Sequence, residues 1–592
     1  IGVRLVGSEM CIRDRYYTDE RNVQILISLL KEHGIKRVVA SPGSTNVTFV
    51  GSIQQDPFFE IYSCVDERSA AYMACGMAAE SCEPVALSCT GATASRNYYP
   101  ALTEAYYRKL PILAITSTQE EANIGHLIPQ VLDRSAQPHD IVKMSVHLQT
   151  VKDDIDEWDV TIKANKAILE LNHHGSGPVH VNLTTRYSKN FMIKKLNPVR
   201  KIERICLKDE WPLMPNCKIA VFVGSHLRWS ERLTQAVDNF CASYGAVVFC
   251  DPTANYHGQY RVYQELRSCQ PVPDEFTQID LLIHIGEMSD MCNQVSPHNV
   301  WRVSEDGGIA DRYQRLTKVF EMPEVMFFEH YASDTKITTA NIEHEEKKYE
   351  ELFSYLPDLP FSHIWIASQL SSKLPECCTM HLGILSPLRS WGYFKFPSSV
   401  EVYCNQGGFG IDGNMSSMIG ASLVSPKKLF FAAVGDLSFF YDMNVLGNRH
   451  IGSNVRILLV NNALGAEFHL FKQINCTKVN GIERYISAGG HFGQKSPDLV
   501  RHYAKDLGFE YLTASNKDEF LSVYERFVTP EITEKPMVFE VFTKVDDENQ
   551  ALYDLWHILK DMSLKGKIKQ GLKEVMGDNL VNKIKKVMNE DL

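Results

Sequence analysis

A short apolar strand, a tight polar turn and then a helix form a unit that recurs along the chain and restricts its possible folds more than any other feature. It appears first at Arg37-Val38-Val39-Ala40, after a helical stretch carrying Val23, Leu26, Ile27, Leu29 and Leu30, and runs into Ser41-Pro42-Gly43-Ser44. It returns at 84–88 before Thr90-Gly91-Ala92-Thr93 and again at 111–116, and 177–182 reads as a further strand. Strands so continuously apolar are covered on both faces. Their alternation with helices predicts an α/β fold with a doubly wound parallel sheet.

The chain has 592 residues, too many for one hydrophobic core, and the pattern restarts twice. A polar, proline-bearing stretch at 189–216 precedes a second α/β unit, with strands predicted at 218–223, 246–250 and 281–285. Its Val223-Gly224-Ser225 is a weak phosphate-turn candidate and is read as architectural, because no G-x-G-x-x-G follows. A charged run at 342–351 reads as a solvated helix face or linker, and a third unit has strands predicted at 400–403, 429–434, 455–460 and 537–542. The expected domains are 16–188, 217–341 (Rossmann-like) and 361–550, with a helical tail at 551–592. In that tail Lys565, Lys567, Lys569 and Lys573 sit among Ile568, Leu572 and Val575, which reads as packing on its own or a neighbouring subunit before a membrane-surface helix. Residues 1–15 are set aside as a non-native leader, since Glu9, Arg13, Asp14 and Arg15 interrupt any signal-peptide core.

Composition removes several function classes. A net charge of −11 leaves no broad basic surface for a polynucleotide, so no nucleic-acid partner is expected. The 15 cysteines form no repeated C-x-x-C, and Cys377-Cys378 has no matching pair, which excludes a zinc site or disulfide framework and points to a reducing compartment. No run of eighteen apolar residues exists to span a bilayer, and a cytoplasmic location is expected.

Chemistry concentrates in two places. In the third unit Gly435-Asp436-Leu437-Ser438 ends one apolar strand and Asn461-Asn462 ends the next, with Asn462 26 residues after Asp436. Ligands of open α/β sheets bind at such strand ends. Magnesium takes hard oxygen ligands and completes its shell with phosphates and water, and Asp436, Asn462 and the Leu464 carbonyl suit it. The plainer alternative, that Asp436 caps a helix and Asn461-Asn462 forms a turn, is the lesser reading. In the first unit Asp66-Glu67-Arg68-Ser69-Ala70 puts a carboxylate at the start of a small-residue helix, where a partner of the helix dipole is the plainer reading.

The G-D-x-S and N-N pair resembles the diphosphate motif of thiamine-diphosphate enzymes. With Ser41-Pro42-Gly43-Ser44, Cys89-Thr90-Gly91-Ala92-Thr93-Ala94, Asn405-Gln406-Gly407 and Gly410-Ile411-Asp412-Gly413, all in order between about 19 and 550, the chain is most similar to the 2-succinyl-5-enolpyruvyl-6-hydroxy-3-cyclohexene-1-carboxylate synthases of the menaquinone pathway. The resemblance implies pyrimidine-binding, central and diphosphate-binding domains, thiamine diphosphate with Mg2+, and a homodimer or homotetramer with sites at the subunit interface. Glu67 would hydrogen-bond the cofactor's N1′ as the activating residue, and Ile411 would bend the cofactor. Asn97, Asn405, Asp436, Leu437, Ser438 and Asn462 complete the expected cofactor set.

Substrate positions depart from the resemblance. Thr45 and Gln406 stand where the synthases carry arginines, while Arg389 stands where a third is expected; each lost charge-assisted bond is worth roughly 1.5–3 kcal/mol. Ser44, Thr45, Arg389 and Gln406 are therefore the substrate-facing candidates, and a substrate different from that of the synthases is expected. After the third strand, Gln130 is the candidate for a catalytic amide, and His126 for an acid/base or hydrogen-bonding group. The expected function is decarboxylation of a 2-oxo acid and transfer of the resulting enamine to a carbonyl or alkene acceptor. A simple decarboxylase releasing an aldehyde is the alternative, and a non-catalytic cofactor-binding protein the third reading.

Overall fold

The computed structural model describes residues 16–134, 136–227, 229–272, 274–290, 295–333, 340–473, 476, 478–491 and 495–559. The proposed leader at 1–15 and most of the tail, from 560, lie outside the described residues. The chain divides into two compact units, Ile1–Ile205 with Ile309–Val319, and Cys206–Gly308 with Phe320–Leu592.

The first unit is built on six strands, β1 (Arg37–Ala40), β2 (Glu60–Ser63), β3 (Val85–Thr90), β4 (Ile112–Thr118), β5 (Met144–Leu148) and β6 (Val179–Thr184). They lie in the order β2-β1-β3-β4-β6-β5, every neighbouring pair parallel. β4 and β6 are buried at every position, as their apolar runs require. Each face of the sheet has its own core. On one, the helix Arg21–Glu32 seats Val23, Leu26, Ile27 and Leu30 against Val38, Leu113 and Val181. On the other, Ala70, Ala71, Ala74 and Ala78 let the helix Glu67–Ser81 approach Val39, Val85 and Leu87 closely. A fully buried aliphatic side chain of this kind contributes about 1.5–3 kcal/mol.

β7 (Glu203–Cys206) and β13 (Leu316–Glu321) lie where the chain passes from one unit to the other. In the second unit β8 (Ile219–Val223), β9 (Val247–Cys250), β10 (Arg261–Val262), β11 (Gln278–Ile285) and β12 (Ser296–Ser304) form a parallel sheet in the order β10-β9-β8-β11-β12. The turn after β8 must be glycine, because a Cβ on Gly224 would lie 1.9 Å from the Glu287 carbonyl oxygen. The third sheet holds β14 (Thr379–Leu382), β15 (Glu401–Tyr403), β16 (Phe430–Gly435), β17 (Val455–Asn461), β18 (Glu510–Ala514) and β19 (Met537–Phe542). Its order is β15-β14-β16-β17-β19-β18, again all parallel.

The third sheet is thus wound in the same order as the first, with a reversal between β14 and β16 to match that between β1 and β3. Such reversals open a crevice at the carboxyl ends of the strands. The charged run falls in the helix Ala340–Ser354, where Glu345 departs from a solvated face: it is buried and paired with Arg267 and, at 2.7 Å, with Lys348. The chain continues as helix over Val545–Trp556. Among the described residues no helix is long and apolar enough to cross a membrane, and the cysteines are free thiols.

Candidate cofactor and metal site

In the first unit the crevice is lined by the turns after β1, β2 and β3. Glu67 opens the helix Glu67–Ser81, whose N-cap, Asp66, accepts the Ser69 amide at 2.7 Å; that bond holds the first turn and leaves Glu67 partly exposed. Asn97 Nδ2 donates to the Glu67 carboxylate at 3.3 Å. The turn after β1 is pressed against β3, since a Cβ on Gly43 would sit 2.6 Å from Thr90 Cβ. Ser44 is exposed on that turn. Thr45 is buried, bonded through Oγ1 to the Thr90 hydroxyl and donating to the Ser117 carbonyl at 2.9 Å, so its hydroxyl ties two strand ends together. His126 and Gln130 are exposed on the segment that follows β4, and Gln130 adopts a left-handed backbone at φ 65°.

Beneath this crevice lies a buried polar group that the sequence reading did not pick out. Arg134 donates to Asn182 Oδ1 at 2.5 Å, while its Nε and Nη1 meet no partner among the described residues. Burial lowers its affinity for a proton to a pKa of about 10. His180 beside it is buried between the Thr116 and Ser145 hydroxyls, each at 2.7 Å from a ring nitrogen, and burial first, then Arg134, pulls it down to about 3.

In the second unit the turn after β16 places Asp436 at the first position of the helix Asp436–Asp442. Asp436 is 4% exposed; burial pushes its carboxyl up to about 7, against the opposing bonds from the Leu437 and Ala463 amides. β17 ends in Asn461, whose Nδ2 donates to Glu540 Oε1 at 2.7 Å, and Asn462 follows with its Oδ1 buried and unpartnered among the described residues. A desolvated carboxylate and an orphaned amide oxygen are donors of the kind a hard divalent cation takes, and the part-buried Leu464 lies in the same turn as Asn462.

The surrounding hydrogen bonds fix Ile411. Ser438 Oγ donates to the Ile411 carbonyl at 2.5 Å and accepts from Asn414 Nδ2 at 3.0 Å, while Asn414 also donates to that carbonyl at 2.9 Å. Asn405 Nδ2 reaches the Gly413 carbonyl at 3.2 Å. Asn405 and Ser438 therefore hold the turn that carries Ile411. Gln406 is buried: Oε1 accepts the Asp290 amide at 2.8 Å and Nε2 donates to Thr253 Oγ1 at 2.7 Å. Arg389, at the end of the helix Ser386–Gly392, is bidentate to Asp290 at 2.6 and 3.2 Å and bonds Glu467 at 2.6 Å.

Residues 21–138 match the family described as thiamine pyrophosphate enzyme, N-terminal TPP binding domain. The chain is 31% identical over 573 residues to the 2-succinyl-5-enolpyruvyl-6-hydroxy-3-cyclohexene-1-carboxylate synthase of Bacteroides thetaiotaomicron, covering 92% of this chain and 100% of the relative. The chain belongs to that synthase family of thiamine-diphosphate enzymes. The synthase of Bacteroides fragilis is 33% identical over 567 residues, and that of Phocaeicola vulgatus 33% over 585, each covering 92% of this chain.

Within the family frame, the structure gathers Asn405, Ile411, Asp436, Leu437, Ser438 and Asn462 at one crevice and Glu67 with Asn97 at another. Thr45 and Gln406 are turned into the protein, with their hydrogen-bonding groups satisfied there. The sequence reading missed Asn414, Glu467, Lys472 and Asp290. Asn414 adjoins the Gly410 to Gly413 motif and Glu467 follows Asn462 by five residues, so proximity to a motif was the only signal for either. Asp290 carried none.

Proposed function

We propose that the chain binds thiamine diphosphate and Mg2+, decarboxylates a 2-oxo acid and joins the remaining fragment to an acceptor through a new carbon–carbon bond. The observation that carries this reading is the pairing of the buried Asp436 carboxyl with the orphaned Asn462 Oδ1, which a divalent cation would satisfy together with the Leu464 carbonyl. Bound thiamine diphosphate supplies the carbon nucleophile and the electron sink for loss of carbon dioxide. Glu67 holds and returns a proton at the cofactor's pyrimidine edge, and Asn97 orients its carboxylate. Ile411, fixed through its carbonyl by Ser438 and Asn414, offers an apolar side chain that would support the cofactor when bound. His126 and Gln130 lie on an exposed segment suited to closing over substrate, and Ser44 borders the same crevice. By family resemblance the working form is a homodimer or homotetramer with its sites at the subunit interface.

The test is a panel of 2-oxo acids assayed for carbon dioxide release with thiamine diphosphate and Mg2+, beside Glu67→Gln. Loss of a positioned acid/base group lowers the rate by about 10²- to 10⁴-fold. Full activity in Glu67→Gln would defeat the mechanism. Products analysed with and without an added aldehyde or ketone separate bond formation from simple decarboxylation.

A further inference from the structure

The buried Arg134 belongs to a polar pocket on the first sheet for which the functional reading has no use. Arg134, Tyr98, Tyr99, Thr116, Gln137 and His180 line a cavity with room for one particle of about the size of a water molecule. Most of this wall is matched within itself. The Tyr99 hydroxyl donates to Gln137 Oε1 at 2.8 Å, Gln137 Nε2 donates to the Arg134 carbonyl at 3.1 Å, and Thr116 and His180 share a hydrogen bond at 2.7 Å. What is left over can donate: Nε and Nη1 of Arg134, which is 3% exposed, and the hydroxyl of the fully buried Tyr98 have no hydrogen-bond partner among the described residues. The guanidinium is held in place, with Asn182 Oδ1 accepting from Nη2 at 2.5 Å and Gly91 so close that an added Cβ would lie 3.0 Å from Nη1.

The charge of Arg134 is unmatched as well. No carboxylate pairs with it among the described residues; Arg96 repels it, the Cys89 thiol is kept neutral by burial, which pushes it up to about 12, and the neighbouring His180 is neutral. A buried cation without a counter-charge is costly. A water molecule in the cavity would leave that charge uncompensated and would have to place its own protons against a wall whose spare groups are donors. A one-atom anion meets both needs, whereas sulfate, phosphate and carboxylates are too large. We propose that this cavity binds a single halide ion, chloride in ordinary buffers, on Arg134 and Tyr98, and that the ion fastens to the first sheet the end of the segment that carries Gln130.

Thermal unfolding of the full chain tests this at constant ionic strength, with sodium gluconate, whose anion is too large for the cavity, replaced stepwise by sodium chloride or sodium bromide. The wild-type midpoint is expected to climb with the logarithm of halide concentration, gaining about 5 °C at roughly a hundredfold excess over the Kd. Arg134→Met should lose that response, and in gluconate alone it should unfold no lower than wild type. Crystals of wild type soaked in bromide give the second measurement, with an anomalous peak expected within hydrogen-bonding reach of Arg134 Nε or Nη1. A wild-type midpoint that ignores halide, an equal response in Arg134→Met, or no bromide at Arg134 overturns the proposal. Bromide there without a shift in midpoint marks an adventitious ion only and overturns it too. Should Arg134→Met fail to fold, the wild-type titration and the bromide position decide.

Discussion

Replacing Asp436 by asparagine should stabilise the metal-free protein above neutral pH and abolish its response to Mg2+. The carboxyl is pushed up to about 7 in the fold, chiefly by burial, from an ordinary value of 3.8. A carboxyl raised in the folded state binds its proton more tightly there than in the unfolded chain, so stability falls as pH rises from about 4 to about 7 and stays low above it. At 1.36 kcal/mol per unit, the shift costs about 4 kcal/mol once the group is ionised in both states. Asparagine keeps the shape, retains an acceptor for the Leu437 amide and has no charge to desolvate. Thermal unfolding of metal-free protein at pH 5 and pH 8 reads the difference. Between pH 5 and pH 8 about 3 kcal/mol of this is lost, and for a unit of this size that corresponds to roughly 4 °C, so the wild-type midpoint should drop that much more than that of Asp436→Asn. Mg2+ with thiamine diphosphate should restore wild type at pH 8 and leave the variant unchanged. Equal pH dependence in the two proteins would show that Asp436 is not the buried, cation-seeking group argued for above.

Three further substitutions probe the scaffold. Gln406→Arg should destabilise by about 3 kcal/mol, because the side chain is buried between the Asp290 amide and the Thr253 hydroxyl and a longer one must displace both; urea unfolding measures it. Gly43→Ala should lose about 1–3 kcal/mol by forcing the turn after β1 away from Thr90, and an unchanged melting midpoint would contradict the close approach. Arg134→Met should be neutral or stabilising by about 1 kcal/mol or more, since it removes a buried guanidinium held, among the described residues, by one hydrogen bond; a clear loss of stability would mean that its other nitrogens have partners.

Legibility followed burial. β4, β6, β8, β16 and β17 are covered on both faces and stand out as apolar runs. β2 and β5 are edge strands, mostly exposed or half-buried, and carry too few apolar residues to be noticed. β14 is buried throughout yet reads Thr-Met-His-Leu, so a hydrophobicity argument passes over it. Glu67, Asp436 and Asn462 were legible because each lies at a turn next to a strand or helix end, with a local motif to mark it. Asp290 and Glu467 were not, because they reach Arg389 from 99 and 78 residues away and only tertiary folding makes them neighbours.

The shared winding of the first and third sheets has a further consequence. One architectural template presents two unlike sets of strand ends, a part-exposed carboxylate held by an amide at one and a buried carboxyl near an orphaned amide oxygen at the other, and the difference lies in the turns and helix starts that follow the strands. Thr45 and Gln406 sit at such positions, each held locally by two or three hydrogen bonds, so a change there is absorbed by its immediate neighbours while the sheets stand still.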